Sequence, residues 1–265
     1  VFKHPSFQEW SGIGIAVQAY QKRALSVLRW LTLLAKEYGK VIMVRLVKGA
    51  YWDTEIKRAQ EAGLENYPVF TRKASTDLSY LACVRYLSQQ PKHLYAQFAT
   101  HNAYTLAAVI VMMGPDRLYE LQSLYGMGRP IYSALHDDLR HRNLPVRIYA
   151  PVGSHRELLP YLVRRLIENG ANTSFLNRFA DPDADITALI TSPVALLKKC
   201  ASIPHPQIPL PTHLFGEERR NSRGTHLHDP KVVAQLETKL TRSGKTSVKV
   251  GCVINGKLRG ATLRT

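Results

Sequence analysis

A helical segment in the second half of the chain carries two adjacent arginines. The stretch PYLVRRLIENGANTSF, residues 160 to 175, places Arg164 and Arg165 side by side. Residues three and four apart share a helix face, so Tyr161 and Glu168 would lie beside them. Guanidinium groups bind carboxylate or phosphate through paired hydrogen bonds, which favours an anion clamp. An ordinary exposed ion pair with Glu168 is the alternative. The segment also offers apolar side chains for burial: Leu162, Val163, Leu166 and Ile167.

The most apolar strand candidate, VIMVRLVKG, contains Arg45 and ends on Lys48. A strand buried on both faces has no water for Arg45, so this cation needs a negative or electron-rich partner. An edge strand with an outward arginine is the alternative. Gly49 and Ala50 would let a ligand approach the backbone closely. Tyr51 and Trp52, which follow them, offer flat surfaces for an aromatic ring.

A third polar group stands at the end of the stretch LYAQFATHN, where His101 lies between Thr100 and Asn102. These three side chains could bind the edge of a heterocycle by hydrogen bonds, and a purely structural histidine is the alternative. Tyr149 and Leu124 are core candidates when considered alone.

Composition limits the kind of protein without identifying it. The chain has 265 residues and a net charge of +16, which raises nucleic acid, an acidic membrane surface or an anionic ligand as partners. Its three cysteines form no C-x-x-C pair, which argues against zinc and disulfides and favours the cytoplasm. No stretch reaches the roughly 20 apolar residues of a membrane span. The opening VFKHPSFQEW, without an initiator Met, indicates part of a longer protein.

Short apolar runs alternate with longer helical patterns, which predicts an α/β fold with a parallel sheet. The predicted strands are 14–20, 41–49, 94–102, 119–126, 145–153 and, less clearly, 172–178. The predicted helices are 21–38, 53–63, 76–90, 103–113, 131–142 and 154–169, with one more inside 181–201.

Polar residues stand near the carboxyl ends of successive strands, which favours a (β/α)8 barrel of the TIM type. A doubly wound sheet would carry a Gly-rich phosphate turn, and YGMGRP is only a weak match. Five or six strands are found, so about two strands of a barrel are expected to be missing. We predict a barrel portion over 1–202, a Pro-rich connector over 203–224, and a basic tail over 225–265 that contains a hairpin.

Four blocks of the sequence resemble the proline dehydrogenase barrel of the bacterial bifunctional proline utilisation A flavoenzymes. They are RLVKGAYWD, FATHNAYTLAA, RIYAPVGSH and YLVRRLIENGANTSF, and the resemblance runs from about Gly12 to about Gly224. It implies a (β/α)8 barrel that holds FAD and oxidises L-proline to 1-pyrroline-5-carboxylate. It also implies electron transfer to a membrane quinone, hence a cytoplasmic protein at the inner face of the membrane.

The resemblance also implies roles for individual residues. Arg164 and Arg165 would bind the proline carboxylate, Glu168 would orient them, and other residues would surround the substrate ring: Tyr149, Tyr161, Leu124 and Tyr51. The residues implied to hold FAD are Gln18, Arg45, Val47, Lys48, Gly49, Ala50, Trp52, Thr71, Arg72, Lys73, Thr100, His101 and Gln122. Of these, Thr71, Arg72 and Lys73 would contact the adenylate part. No metal is expected.

The sequence also departs from the family pattern. The family barrel begins earlier, with strands that carry a substrate-binding lysine and a pocket aspartate. The DNA-binding module of some members and the following aldehyde dehydrogenase domain have no counterpart here, and Tyr125 stands where a histidine is usual. Another chain would then supply the missing strands or an aldehyde dehydrogenase partner, or the chain would form a homo-oligomer. Two other functions remain as hypotheses: a non-catalytic remnant of the barrel and a basic nucleic-acid-binding protein.

Overall fold

The computed structural model describes residues 2–7, 9–170, 190–227, 229–243 and 250–261. Five strands form one sheet, in which all neighbours are parallel and follow chain order. The strands are β1 Gly14–Gln18, β2 Ile42–Val47, β3 Leu94–Ala99, β4 Tyr119–Leu124 and β5 Val146–Tyr149. The predicted α/β class with a parallel sheet is therefore confirmed.

Helices follow the strands, as expected for successive βα units. Those that accompany the sheet are α1 Ala24–Tyr38, α2 Trp52–Glu61, α3 Lys73–Ser88, α4 Ala103–Met113, α5 Arg129–Ala134, α6 His136–His141 and α7 His155–Gly170. Beyond them lie α8 Pro193–Lys198, α9 Pro230–Ser243 and an antiparallel hairpin of β6 Val250–Ile254 and β7 Lys257–Ala261. Short 3-10 turns cover Pro5–Phe7 and Pro211–His213. The hairpin expected in the tail is confirmed.

The two faces of the sheet differ in chemistry. The outer face carries apolar side chains such as Val44, Leu46 and Phe98, which are fully buried against the helices. The inner face carries polar side chains, including Arg45 and Gln97, which occupy paired positions on β2 and β3. The prediction that the strand of Arg45 is buried on both faces is therefore wrong. Buried and half-buried residues alternate along it, because only its outer face meets helices.

The observed boundaries of several helices and strands differ from the predicted ones, because side chains cap a helix or the helix is interrupted. The strand predicted to end at Asn102 ends at Ala99, because Asn102 accepts the Thr105 backbone N–H at 2.8 Å and begins α4. The helix predicted over 131–142 is divided into α5 and α6 near Leu135. Helix α8 lies within the predicted 181–201 region. The predicted strand 172–178 lies outside the described residues.

The Pro-rich connector 203–224 packs back on the α2–α3 side of the sheet. The Tyr67 hydroxyl donates to the Pro209 carbonyl at 2.7 Å, and the Asn221 side chain donates to the Gln60 carbonyl at 3.0 Å. Ile208 packs on a small cluster of buried side chains around Tyr67. The connector is therefore attached to the domain by both polar and apolar contacts.

Candidate active site

Arg45 and Tyr149 meet on the inner face of the sheet although two strands separate them. The Cζ atom of Arg45 lies 4.0 Å from the centre of the Tyr149 ring. In a flat sheet, strands three positions apart are roughly 14 Å from each other and their side chains run parallel. The contact therefore requires strong curvature of the sheet, as in the wall of a barrel. The buried Arg45 Nε has no hydrogen-bond partner among the described residues.

Helix α7 brings both arginines of the candidate clamp to this place. Arg164 lies with its Cζ atom 4.8 Å from the Tyr51 ring centre, and its Nη2 is 3.5 Å from the Tyr51 hydroxyl. Arg165 lies over Tyr161 at 5.4 Å. Burial raises the pKa of Tyr149, while the charges of Arg45 and Arg165 oppose that shift. Arg45 of β2, predicted to contact the cofactor, therefore lies beside two residues predicted to contact the substrate, Tyr149 of β5 and Arg165 of α7.

The apolar side chains of α7 do not occupy the position expected from the sequence. Leu162, Val163, Leu166 and Ile167 are exposed, with Leu166 at 70 %. The helix instead directs Arg164 and Arg165 toward the carboxyl ends of the strands. The Glu168 side chain, expected to orient them, lies outside the described residues.

His101 lies between the strand ends and α7. The Leu124 backbone N–H donates to His101 Nε2 at 3.1 Å, so the remaining proton of the neutral ring lies on Nδ1. Burial, followed by the Arg165 charge, lowers the pKa of His101 to about 4. A Cβ at Gly128, whose φ is +66°, would lie 2.6 Å from the imidazole Cδ2. Glycine at this position therefore lets the ring pack against the turn before α5.

Lys48 is held by a carboxylate that the sequence analysis missed. Asp77 on α3 pairs with Lys48 and, at 2.8 Å, with Lys73. Burial raises the pKa of Asp77, but the two lysine charges outweigh it and lower that pKa overall. Burial lowers the pKa of Lys48, and Asp77 opposes the shift. The four-residue spacing of Lys73 and Asp77 on one helix was the available signal.

The glycine after Lys48 is required by packing as much as by any ligand. Gly49 has φ +137°, and a Cβ there would lie 2.5 Å from the Tyr20 ring. Trp52 is fixed near it, since its indole N–H donates to the Phe70 carbonyl at 2.8 Å. Ala50 lies between them, half-buried. A flat aromatic surface therefore stands at the carboxyl end of β2.

The three residues expected at the adenylate have their own partners. The Thr71 hydroxyl accepts the His205 backbone N–H at 2.9 Å, and Arg72 Nε donates to the Ser202 and Ile203 carbonyls at 3.1 and 3.0 Å. Lys73 pairs with Asp77, as described above. The structure thus brings Thr71 and Arg72 against the connector, and their role at a cofactor stays a prediction.

The remaining expected cofactor residues lie at the carboxyl ends of neighbouring strands. Gln18 ends β1, Val47 ends β2, and Thr100 follows β3, where its hydroxyl accepts the Asn102 backbone N–H at 3.2 Å. Gln122 lies near the end of β4 and donates to Glu120 at 2.7 Å. Glu120, which is 1 % exposed, is a second site residue that the sequence analysis missed. The alternating pattern of β4 gives no signal that would distinguish Glu120 from any other residue on the inner face.

These residues fit a flavin. The unpartnered Arg45 Nε, the Lys48 ammonium and the Gln18, Thr100 and Gln122 side chains supply hydrogen-bonding groups around one edge of the curved sheet. Such groups match the carbonyl and ring-nitrogen atoms of an isoalloxazine ring, and indole and phenol rings add flat surfaces. Within the described residues, no group of three metal-ligating side chains occurs, and no helix is long and apolar enough to cross a membrane.

The fold and the site define a parallel α/β protein of the barrel type with a cationic, aromatic site at the carboxyl ends of its strands. The sequence profile described as proline dehydrogenase matches residues 1–178, and the chain belongs to this family. It is 51 % identical over 247 residues to the bifunctional protein PutA of Salmonella typhimurium, covering 89 % of this chain and 19 % of that protein.

The solved structures that resemble this chain include proline utilization A proteins. A crystal structure of a bifunctional proline utilization A protein is 48 % identical, with a TM-score of 0.85, over 95 % of this chain and 25 % of that one. Proline utilization A from Bdellovibrio bacteriovorus, inactivated by N-propargylglycine, is 31 % identical, with a TM-score of 0.77, over 98 % of this chain and 26 % of that one. The chain thus spans about a quarter or less of these relatives.

Proposed function

We propose that this chain is the FAD-binding, proline-oxidising part of a bifunctional proline-utilisation enzyme. The reaction would be oxidation of L-proline to 1-pyrroline-5-carboxylate, with electrons passed to a membrane quinone. The observation that carries the proposal is the meeting of Arg45, Tyr149, Arg164 and Arg165 at one end of the sheet. Membership of the proline dehydrogenase family supports it.

The substrate would bind between α7 and the strand ends. Arg164 and Arg165 suit a carboxylate, because each guanidinium offers a planar fork of donors. Tyr149 and Tyr161 would flank the pyrrolidine ring, and Leu124 and Tyr51 would close the pocket against water. Both guanidinium groups already lie over aromatic rings, which limits their rotamers before the substrate arrives.

The cofactor would be held by the polar strand ends and the Lys48 region. Bound FAD supplies the two-electron acceptor that proline oxidation requires. Arg45 and Lys48 would place positive charge beside it, which stabilises negative charge that develops on the ring. Neutral His101 would donate from Nδ1. Transfer to a membrane quinone would place the protein in the cytoplasm, at the inner face of the membrane.

Other strands of the barrel, or an aldehyde dehydrogenase partner, would come from further sequence or another chain. Within the part of the chain that the structure describes, no strand pairs with the outer edge of β1 or of β5. Open edges can pair with another chain. We therefore propose that such a partner, or a second copy of this chain, completes the barrel wall. Residues 203–224 would connect the barrel portion of this chain to a basic tail over 225–265.

The test is the visible spectrum of the purified chain with FAD, recorded anaerobically before and after L-proline is added. A bound flavin band that bleaches with proline is the expected result. Arg165→Met should prevent bleaching without releasing the flavin, and Arg156→Met, an exposed arginine of the same helix, is the matched control. A chain that binds no flavin, either alone or together with the remaining strands of the barrel, contradicts the proposal and identifies a non-catalytic member of the family.

A further inference from the structure

Glu120 is a buried carboxylate to which the proposed reaction gives no role. It lies on the inner face of β4 and is 1 % exposed. Arg147 binds it through two hydrogen bonds, Nε to Oε1 and Nη2 to Oε2, both 2.9 Å. Gln122 Nε2 donates to Oε1 at 2.7 Å, and the Tyr95 hydroxyl lies 3.4 Å from Oε2. Side chains from three strands therefore converge on one carboxylate.

The carboxylate is ionised over the physiological pH range. Burial raises the pKa of Glu120, but hydrogen bonds from Arg147 and Gln122 outweigh burial, and its pKa is lowered overall. An ionised carboxylate can only accept hydrogen bonds. Any amide that contacts it must therefore present nitrogen and not oxygen.

This requirement fixes the orientation of the Gln122 side chain. Its amide nitrogen faces Glu120, so its carbonyl oxygen is the atom left for another partner. The strand itself is held in place, since the Tyr132 hydroxyl lies between the Thr100 and Gln122 backbone carbonyls, at 2.9 and 3.2 Å, and shares its single proton between them. The Gln122 side-chain oxygen is therefore a hydrogen-bond acceptor whose position is fixed before a ligand binds.

We propose that Glu120 is a positioning residue that holds the Gln122 amide with its oxygen toward the ligand, so that the site selects a ring edge bearing an N–H donor. The inference rests on the proposed function, in which Gln122 contacts the flavin. The oxidised isoalloxazine ring carries one such N–H, between its two carbonyl groups, and a site that offered only donors there would leave it unpaired.

The test is a double-mutant cycle on FAD affinity, measured from flavin fluorescence at equilibrium. Glu120→Gln has nearly the same shape, and Arg147 remains solvated because its side chain is 66 % exposed. The Gln122 amide can then turn, and we expect the Kd for FAD to rise about tenfold, the effect of one lost hydrogen bond. In a Gln122→Leu background, Glu120→Gln should change the Kd less than about twofold, since the coupled group is absent.

Two further measurements separate positioning from a general structural effect. Tyr95→Phe removes another hydrogen bond to Glu120 without touching Gln122, and it should leave the Kd within about twofold of the parent value. The absorbance change that marks loss of the ring N–H proton should occur at lower pH in Glu120→Gln than in the parent, because an acceptor for that proton has been lost.

Each outcome decides the proposal. Equal effects of Glu120→Gln in both backgrounds, with flavin still bound by the parent, overturn the positioning role alone. A parent chain that binds no FAD removes the proposed function and this inference with it. Should Glu120→Gln lower the Tm strongly, Glu120→Asp keeps the charge and shortens the reach to Gln122, and the same coupling is expected.

Discussion

The arginines near the inner face of the curved sheet form two groups, which differ in the chemistry of their partners. Arg147 binds Glu120 through two hydrogen bonds of 2.9 Å. Arg45 and Arg164 instead lie over the rings of Tyr149 and Tyr51. A cation that is matched by a buried carboxylate contributes to the architecture. A cation that rests on a neutral ring keeps its hydrogen-bonding capacity for an anion.

The same contrast separates the lysines from the arginines of the site. Asp77 holds both Lys48 and Lys73, so the β2–α3 region is already neutralised in part. Arg164 on α7 instead lies over the Tyr51 ring, and it has no acidic partner among the described residues. We infer that substrate charge is matched at α7, while the β2–α3 side provides a fixed scaffold.

Removing a clamp arginine should affect catalysis far more than stability. For Arg165→Met we expect kcat/KM for proline to fall about 100-fold or more, since a charge-assisted contact to a carboxylate is lost. The Tm should stay close to that of the parent. Steady-state kinetics with a soluble electron acceptor, together with thermal unfolding, provide the measurement. Arg156→Met is the control, and an equal loss in that variant would mean that the helix, and not the clamp, was damaged.

Replacing Arg147, whose charge is matched by the Glu120 carboxylate, should affect stability more than catalysis. Arg147→Met leaves the buried Glu120 carboxylate without its cation, so we expect the Tm to fall by several degrees. The pKa of Glu120 should rise, and the variant should recover stability relative to the parent as pH is lowered and the carboxylate protonates. Denaturant titrations at several pH values measure this. A Tm loss that does not depend on pH would contradict the assignment of Arg147 as the partner that keeps Glu120 charged.

His101 should make folding sensitive to mild acid. Its pKa of about 4 lies below the ordinary histidine value of about 6.5, so the unfolded chain takes up the proton first as pH falls. Stability from this group is complete above about pH 6.5 and is lost progressively toward pH 4, by roughly 3 kcal/mol. His101→Asn, which keeps an acceptor for the Leu124 N–H, should lack that part of the pH dependence.

The matched control for this prediction is His136→Asn, because His136 is exposed. Free energies of unfolding from denaturant titrations between pH 4 and 7.5 provide the comparison. Identical slopes in the parent and in His101→Asn would show that the imidazole is not buried as described.

The sequence predicted the parallel α/β class because strand and helix periods alternate clearly. It also predicted Arg45, Arg164 and Arg165 as site residues and, through the family resemblance, Tyr149. The structure brings these four side chains together, and their roles stay predictions. Helical periodicity alone could not predict which face of α7 meets the strands. The stripe of Leu162, Val163, Leu166 and Ile167 has the period of a buried face, yet the polar face is the one turned inward. Tertiary placement, and not local pattern, decides between the two faces.

Asp77 and Glu120 were missed for a related reason. Their significance comes from partners on other elements, such as the 29-residue separation of Lys48 and Asp77 and the 27-residue separation of Glu120 and Arg147. Periodicity reports which face of its own element a residue occupies, but it carries no information about the facing side chain. Contacts between strands and helices that are distant in sequence therefore need the structure.

The smallest expected effect concerns the connector, which is the region most remote from the clamp. The Tyr67 hydroxyl donates to the Pro209 carbonyl at 2.7 Å and accepts from the Gln60 amide at 3.1 Å, while its side chain is 2 % exposed. Tyr67→Phe should lower the free energy of unfolding by about 1 kcal/mol and leave the KM for proline unchanged. Tyr38→Phe, at a half-buried tyrosine, is the control. A lowered FAD affinity in Tyr67→Phe would extend the comparison, because it would show that the connector also supports the Thr71–Lys73 segment at the cofactor.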